Sequence, residues 1–170
     1  MYLKRLFFLF LITLLINNIL FSQEWSQYGQ DIDGEAVGDE SGKSVAISAN
    51  GRIVAIGAHK NDANGVDDGH VRVYQNKSSE TTSLWVQMGQ DIDGGSSNDQ
   101  SGYTVSLSDD GYTLAVSHIN LSPAAIVKVY RFSDGSWTKI GGDIDGVTND
   151  SQLFGVSTSL SSDGNTIAIG

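Results

Sequence analysis

The tetrapeptide Asp-Ile-Asp-Gly occurs three times and pairs carboxylates two residues apart, at Asp31 and Asp33, Asp91 and Asp93, and Asp143 and Asp145. A further acid follows each copy, at Asp39, Asp99 and Asp150. Carboxylates this close together on a glycine-relaxed loop suit a hard cation such as calcium, which collects about six to eight oxygens. The competing reading makes the same residues Asx turns at a strand end, with Ile32, Ile92 and Ile144 turned inward, and it is the preferred one. A second acidic stretch, Asn61 to Gly69, carries Asp62, Asn64, Asp67 and Asp68. Its counterpart, Ile119 to Ala125, holds no acid, so a cation there would belong to one copy alone. A solvated loop is the better reading.

Other chemistries find less support. His59, His70 and His118 show neither His-x-His nor His-Glu-x-x-His spacing, so no zinc site is readable from them. No Ser sits in a Gly-x-Ser-x-Gly elbow, and no glycine loop precedes a helix to cradle phosphate. Cysteine is absent, which removes disulfides, thiolate metal sites, a Cys nucleophile and lipoprotein acylation together. Paired carboxylates can hydrolyse glycosides, yet a pair repeated three times speaks for construction of a repeat, not for one active centre. Twenty acidic residues against ten basic ones, a net charge of -10, argue against a nucleic-acid binder, which needs clustered Lys and Arg.

The elements that must hold these acids repeat with them. Trp25-Ser-Gln-Tyr-Gly-Gln-Asp-Ile-Asp-Gly34 recurs as Trp85 to Gly94 and again as Trp137 to Gly146. Downstream, Ser41 to Gly51 matches Ser101 to Gly111, and Phe154 to Gly164 follows the same course. Each unit reads as four short strands. In the first they are Ser44 to Ser48, Ile53 to Ala58, His70 to Gln75 and Leu84 to Gln90, with Asn50-Gly51 as a two-residue hairpin signal. The second gives Thr104 to Ser108, Thr113 to Ser117, Ile126 to Phe132 and Ser136 to Gly141. No segment has helical periodicity. Trp25 to Gln30 is then an orphan fourth strand, and Trp25, Trp85 and Trp137 are in-phase packing residues, with sugar-stacking platforms as the sharper alternative.

Four antiparallel strands every 50 to 60 residues, with Gly and Asx turns between them, are the pattern of β-propeller blades. About two and a half blades cannot close a ring, so the expectation is an all-β fragment of a longer parent that supplies the remaining blades. Residues 1 to 22 differ in kind. Lys4 and Arg5 precede an apolar run from Leu6 to Ile16 that is too short to span a bilayer, which reads as a secretory signal peptide. No membrane span would remain after its cleavage.

At these residues the chain resembles the FG-GAP repeats of integrin α-subunit heads and of bacterial exported proteins. The resemblance lies in Trp85 to Gly94, Asp99, Ser101-Gly102, Thr104 to Ser108, Ile53 to Ala58 and Gly69-His-Val-Arg-Val-Tyr74, and it covers nearly everything after Gln23. A literal Phe-Gly survives only at Phe154-Gly155. The integrin calcium loop does not carry over, because Asn50-Gly51, Asp109-Asp110-Gly111 and Asp163-Gly164 are too short to gather three oxygen ligands. The resemblance implies a secreted or cell-surface, non-catalytic binding or adhesion module that presents loops to a protein or glycan ligand. Alternatives are the carrier or carbohydrate-recognition part of a larger extracellular enzyme and a structural matrix protein.

Overall fold

The computed structural model describes residues 24–77, 84–119, 125–146 and 154–170. The leader expected over residues 1–22 and the acid Asp150 lie outside them. Every regular element among the described residues is a β-strand. The first sheet runs in chain order through β1 (Ser44–Ile47), β2 (Ile53–Ala58), β3 (His70–Asn76) and β4 (Trp85–Gln87), with β5 (Ile92–Asp93) returning to pair with the start of β3. The second is β6 (Ser101–Leu107), β7 (Thr113–His118), β8 (Ile126–Ser133) and β9 (Ser136–Asp145). A hairpin of β10 (Thr158–Leu160) and β11 (Ile167–Ile169) follows, and all strand pairs are antiparallel.

The first turn of each unit is built the same way three times. Ser48 Oγ donates to Asn50 Oδ1, which also accepts the Arg52 amide, while Ile53 N donates back to Ser48 Oγ. Ser108, Asp110, Tyr112 and Thr113 repeat the set, as do Ser161, Asp163, Asn165 and Thr166. Short polar side chains that satisfy nearby amides make this turn locally determined. At the third copy the hydrogen bonds from Ser161 and Asn165 hold the exposed Asp163 carboxyl down to about 2.

Two expected strands come out differently. The fourth strand of the first unit stops at Gln87, a hydrogen bond from Met88 N to the Val73 carbonyl carries the pairing one step further, and β5 begins at Ile92, whereas β9 in the second unit runs unbroken through Gly141. Trp25 to Gln30 forms no strand at all. Its counterparts in β4 and β5 pair with β3, and no described third strand precedes Trp25 to offer it a ladder.

Consecutive sheets pack face to face, β6 against β1, β2 and β3, and β10 against β6 and β7. The core between them comprises Ile53, Ala55, Val71, Val73, Met88, Ile92, Val105, Leu114, Val116 and Trp137, with Ala46, Leu107, Tyr130 and Phe132 packed around it. Each fully buried aliphatic side chain here contributes about 1.5–3 kcal/mol. The hydrogen bonds that cross these junctions recur in register. Ser44 Oγ donates to the Gly102 carbonyl at 2.8 Å, and Thr104 Oγ1 to that of Gly155 at 3.0 Å. At the opposite end, Ala49 N donates to the Asp109 carbonyl at 3.0 Å, and Asp109 N to that of Ser162 at 2.9 Å.

Candidate functional site

The loops at residues 34–43, 59–69 and 94–100 leave the same end of the strands and are tied into one platform by main-chain hydrogen bonds. Lys60 N donates to the Asp39 carbonyl, Gly94 N to that of Gly69, Asn98 N to that of Val66 and Gln100 N to that of Asp67. Asp39, Asp62, Asp67, Asp68 and Asp99, among the acids singled out by the sequence, lie on this platform.

The downstream acids close turns. Asp39 is buried and accepts from Ala36 N and Asn61 Nδ2. Asp99 accepts from Gly95 N and Ser96 N at 2.7 and 2.9 Å, so the two residues occupy the same place in successive units. The first acid of each Asp-Ile-Asp-Gly is held by the residue four before it. Gln27 donates to Asp31, Gln87 to Asp91 and Lys139 to Asp143. The hydrogen bond from Lys139 holds the Asp143 carboxyl below its usual value. Asp33, Asp93 and Asp145 are exposed; Asp93 stands opposite His70 and Asp145 opposite Ile126 in their ladders. Ile92 between the paired acids is buried, and Ile32 and Ile144 are half-buried.

In the second acidic stretch, Asp62 Oδ1 accepts the Asp67 amide at 2.8 Å. Asn64 is exposed. Asp68 is 1% exposed, and burial pushes its carboxyl up against the weaker opposing pull of the Asn64 main chain.

Among the described residues, the three metal-capable side chains that converge are not three of these acids but Glu35, His70 and Asp91, whose ligand atoms lie within 4.8 Å of one another. His70 Nδ1 is 3.7 Å from Glu35 Oε2 and 4.0 Å from Asp91 Oδ2. Arg72, two residues along β3 and on the same face, already supplies a cation. Its guanidinium grips Asp91 in a fork, Nε at 3.0 and 3.1 Å and Nη2 at 2.8 Å, and Nη2 also pairs with Glu35. Burial pushes the Asp91 carboxyl up, but the hydrogen bonds from Arg72 and Gln87 outweigh it, and the net shift is downward. The Arg72 guanidinium is correspondingly held protonated by Asp91 first and Glu35 after it. A cavity of about 10 Å³ beside the cluster leaves room for about one water. This is an ion-paired clamp between the 34–43 loop and the sheet, one guanidinium shared by two carboxylates.

Sequence reading missed this cluster because nothing local marks it. Glu35, His70 and Arg72 stand where the next unit has Gly95, Ile126 and Lys128, so the repeat that exposed the other acids averages these residues away. The only available signal was that departure from the repeat.

The three tryptophans share a position but not an environment. Trp137 is 4% exposed, its Nε1 donating to the Met88 carbonyl and its main chain bracketed by both ends of the Gln90 amide. Trp85 is half-buried and repeats the arrangement on Tyr28 and Gln30, whereas Trp25 is 91% exposed. No family model matches the chain, and no curated protein does.

Proposed function

We propose that the two sheets and the following hairpin are consecutive blades of a β-propeller of the FG-GAP type. On this reading the chain is exported and non-catalytic, and offers its acidic loop platform to a protein or glycan ligand outside the cell. The observation that carries it is the repeated junction. Ser44 to Gly102 and Thr104 to Gly155, Ala49 to Asp109 and Asp109 to Ser162, are the same contacts made twice with a shift of one unit. Units related by one repeated operation are what radial stacking requires. The non-catalytic reading is supported by the use of the acids, which tie turns, strand ends and the Arg72 clamp. Export is supported by the apolar run behind Lys4 and Arg5.

The test is to probe the purified chain against panels of glycans, basic and acidic proteins, polysaccharide substrates and peptides. The expected result is saturable binding that weakens with added salt, as an acidic platform dictates, and that falls when Asp62 and Asn64 are replaced by Ala. Reproducible turnover of a polysaccharide or peptide would overturn the non-catalytic reading.

A further inference from the structure

We propose that the fold makes Asn64 a site of covalent modification by water, through a cyclic imide formed with Gly65, and withholds the same chemistry from Asn50. Asn-Gly occurs twice in the chain, each time as Ala-Asn-Gly, at Ala49 to Gly51 and Ala63 to Gly65. The pair is reactive because glycine leaves its own main-chain nitrogen unshielded by a Cβ. That nitrogen gives its proton to hydroxide and attacks the asparagine Cγ. A C–N bond forms, the bond to Nδ2 breaks, and ammonia leaves with a proton returned from water. A second water opens the imide on one side or the other, to an ordinary aspartate or to an isoaspartate whose main chain runs through the side-chain methylene. Asparagine and water become a carboxyl and ammonia, and no other reactant is needed.

The two identical tripeptides stand in opposite surroundings. The Asn50 carboxamide oxygen accepts from Ser48 Oγ and from Arg52 N, each at 2.9 Å, and the Gly51 amide, the nucleophile, donates to the Ser48 carbonyl at 2.9 Å. Both reacting groups are engaged, so ring closure must first break the hairpin turn. Asp110 and Asp163 occupy the same place in the other two turns and accept in the same way. An aspartate would therefore fit at position 50, and what the turn blocks is the reaction, not its product. Asn64 is exposed on the 59–69 loop. Among the described residues, neither its carboxamide nor the Gly65 amide has a hydrogen-bond partner. The Asn64 main chain is meanwhile held by the Asp68 carboxylate. Ring closure there breaks no hydrogen bond of either reacting group.

The product changes the platform in two ways. Either form adds a negative charge to a loop that already carries Asp62, Asp67 and Asp68. The isoaspartate also lengthens the loop by one main-chain atom, and the loop has no slack for it. A Cβ on Gly65 would lie 2.5 Å from Ser97 Oγ and 3.3 Å from the Ser97 main chain. The Gly65 carbonyl accepts from Asp68 N at 3.2 Å, and beside it the Val66 carbonyl accepts from Asn98 N at 2.7 Å. The isoaspartate therefore loosens the 59–69 loop from the 94–100 loop, and the platform ages into a more acidic, less tightly tied form.

Peptide mass mapping of the purified chain, incubated at neutral pH and physiological temperature either folded or in urea, tests this. In the folded chain a gain of about 1 Da should accumulate at Asn64 at least about tenfold faster than at Asn50, and in urea the two rates should converge. Equal rates in the folded chain, or an Asn64 that stays intact when folded yet reacts in urea, would overturn the proposal. A difference that persists in urea would place the selectivity in the sequence and not in the fold, and would overturn it equally. Hydrogen exchange at the Asn98 amide separates the added charge from the added atom. Exchange should be faster in the aged chain than in Asn64→Asp, which carries the charge alone, and equal exchange would refute the loosening.

Discussion

The indole Nε1 of Trp137 donates to the main-chain carbonyl of Met88 at 2.7 Å, across the boundary between two repeat units. The same bond joins Trp85 to Tyr28 at 3.3 Å, and Trp25 is 91% exposed. Burial therefore rises along the series, and the cost of truncation should rise with it. Trp137→Ala should destabilise by about 3–5 kcal/mol, Trp85→Ala by less, and Trp25→Ala by within about 0.5 kcal/mol in dilute monomer. Denaturant unfolding checks the order, and equal effects at the three positions would contradict it.

Gly57 faces the next sheet so closely that an added Cβ would lie 2.1 Å from the Gly102 carbonyl oxygen, against backbone that cannot swing aside. Gly57→Ala should cost more than about 2 kcal/mol by forcing β2 and β6 apart. Gly142→Ala, with nothing among the described residues within 4 Å, should change stability by less than about 0.5 kcal/mol. Thermal melts of the two variants give the comparison.

Arg72 separates two carboxylates that would otherwise face each other. Arg72→Ala should destabilise by about 1–3 kcal/mol at neutral pH. It should also raise the affinity for a divalent cation above that of the wild type, because Glu35, His70 and Asp91 would keep their convergence and lose their cation. Calorimetry with zinc on both proteins reads this, and equal titrations would refute it. In the wild type the lowered carboxyl of Asp91 contributes stability above its unfolded value of about 3.9, and that stability is lost as pH falls through the folded one.

His118 is buried at the end of β7 with neither ring nitrogen hydrogen-bonded, and burial, aided by Lys128, pushes it down to about 4. Its unfolded value is about 6.5, so the unfolded chain takes up a proton that the fold refuses. The contribution is fully present above about pH 6.5 and declines toward pH 4, by at most ~3 kcal/mol. His118→Leu should flatten stability over that window, as followed by denaturant midpoints at pH 7, 6, 5 and 4. An unchanged slope would place the imidazole in contact with water.

The elements legible in the sequence were those fixed by local chemistry. β2 falls on Ile53 to Ala58 because an apolar run lies between two turn signals, and the Ser-x-Asx-Gly hairpins satisfy their own amides. Trp25 to Gln30 matches β4 closely in sequence yet forms no strand, because strand formation depends on a partner that the segment itself does not contain. The recurring acids were visible as a pattern, and their tasks as turn closures and strand-end acceptors follow from position. The Glu35–Arg72–Asp91 clamp was not legible, since it joins residues as many as 56 positions apart and occurs in a single unit.

The stacking of sheet on sheet is tested most directly by trapping it. The Ala49 amide meets the Asp109 carbonyl at 3.0 Å, which places the two α-carbons near the roughly 4.4–6.8 Å that a disulfide spans. Both side chains are exposed, and the chain has no other cysteine to compete. In the A49C/D109C variant, mild oxidation at high dilution should form an intramolecular disulfide in nearly every molecule and raise the melting temperature. Thiols that stay reduced, or a bond that forms only after unfolding, would contradict the stacked repeat.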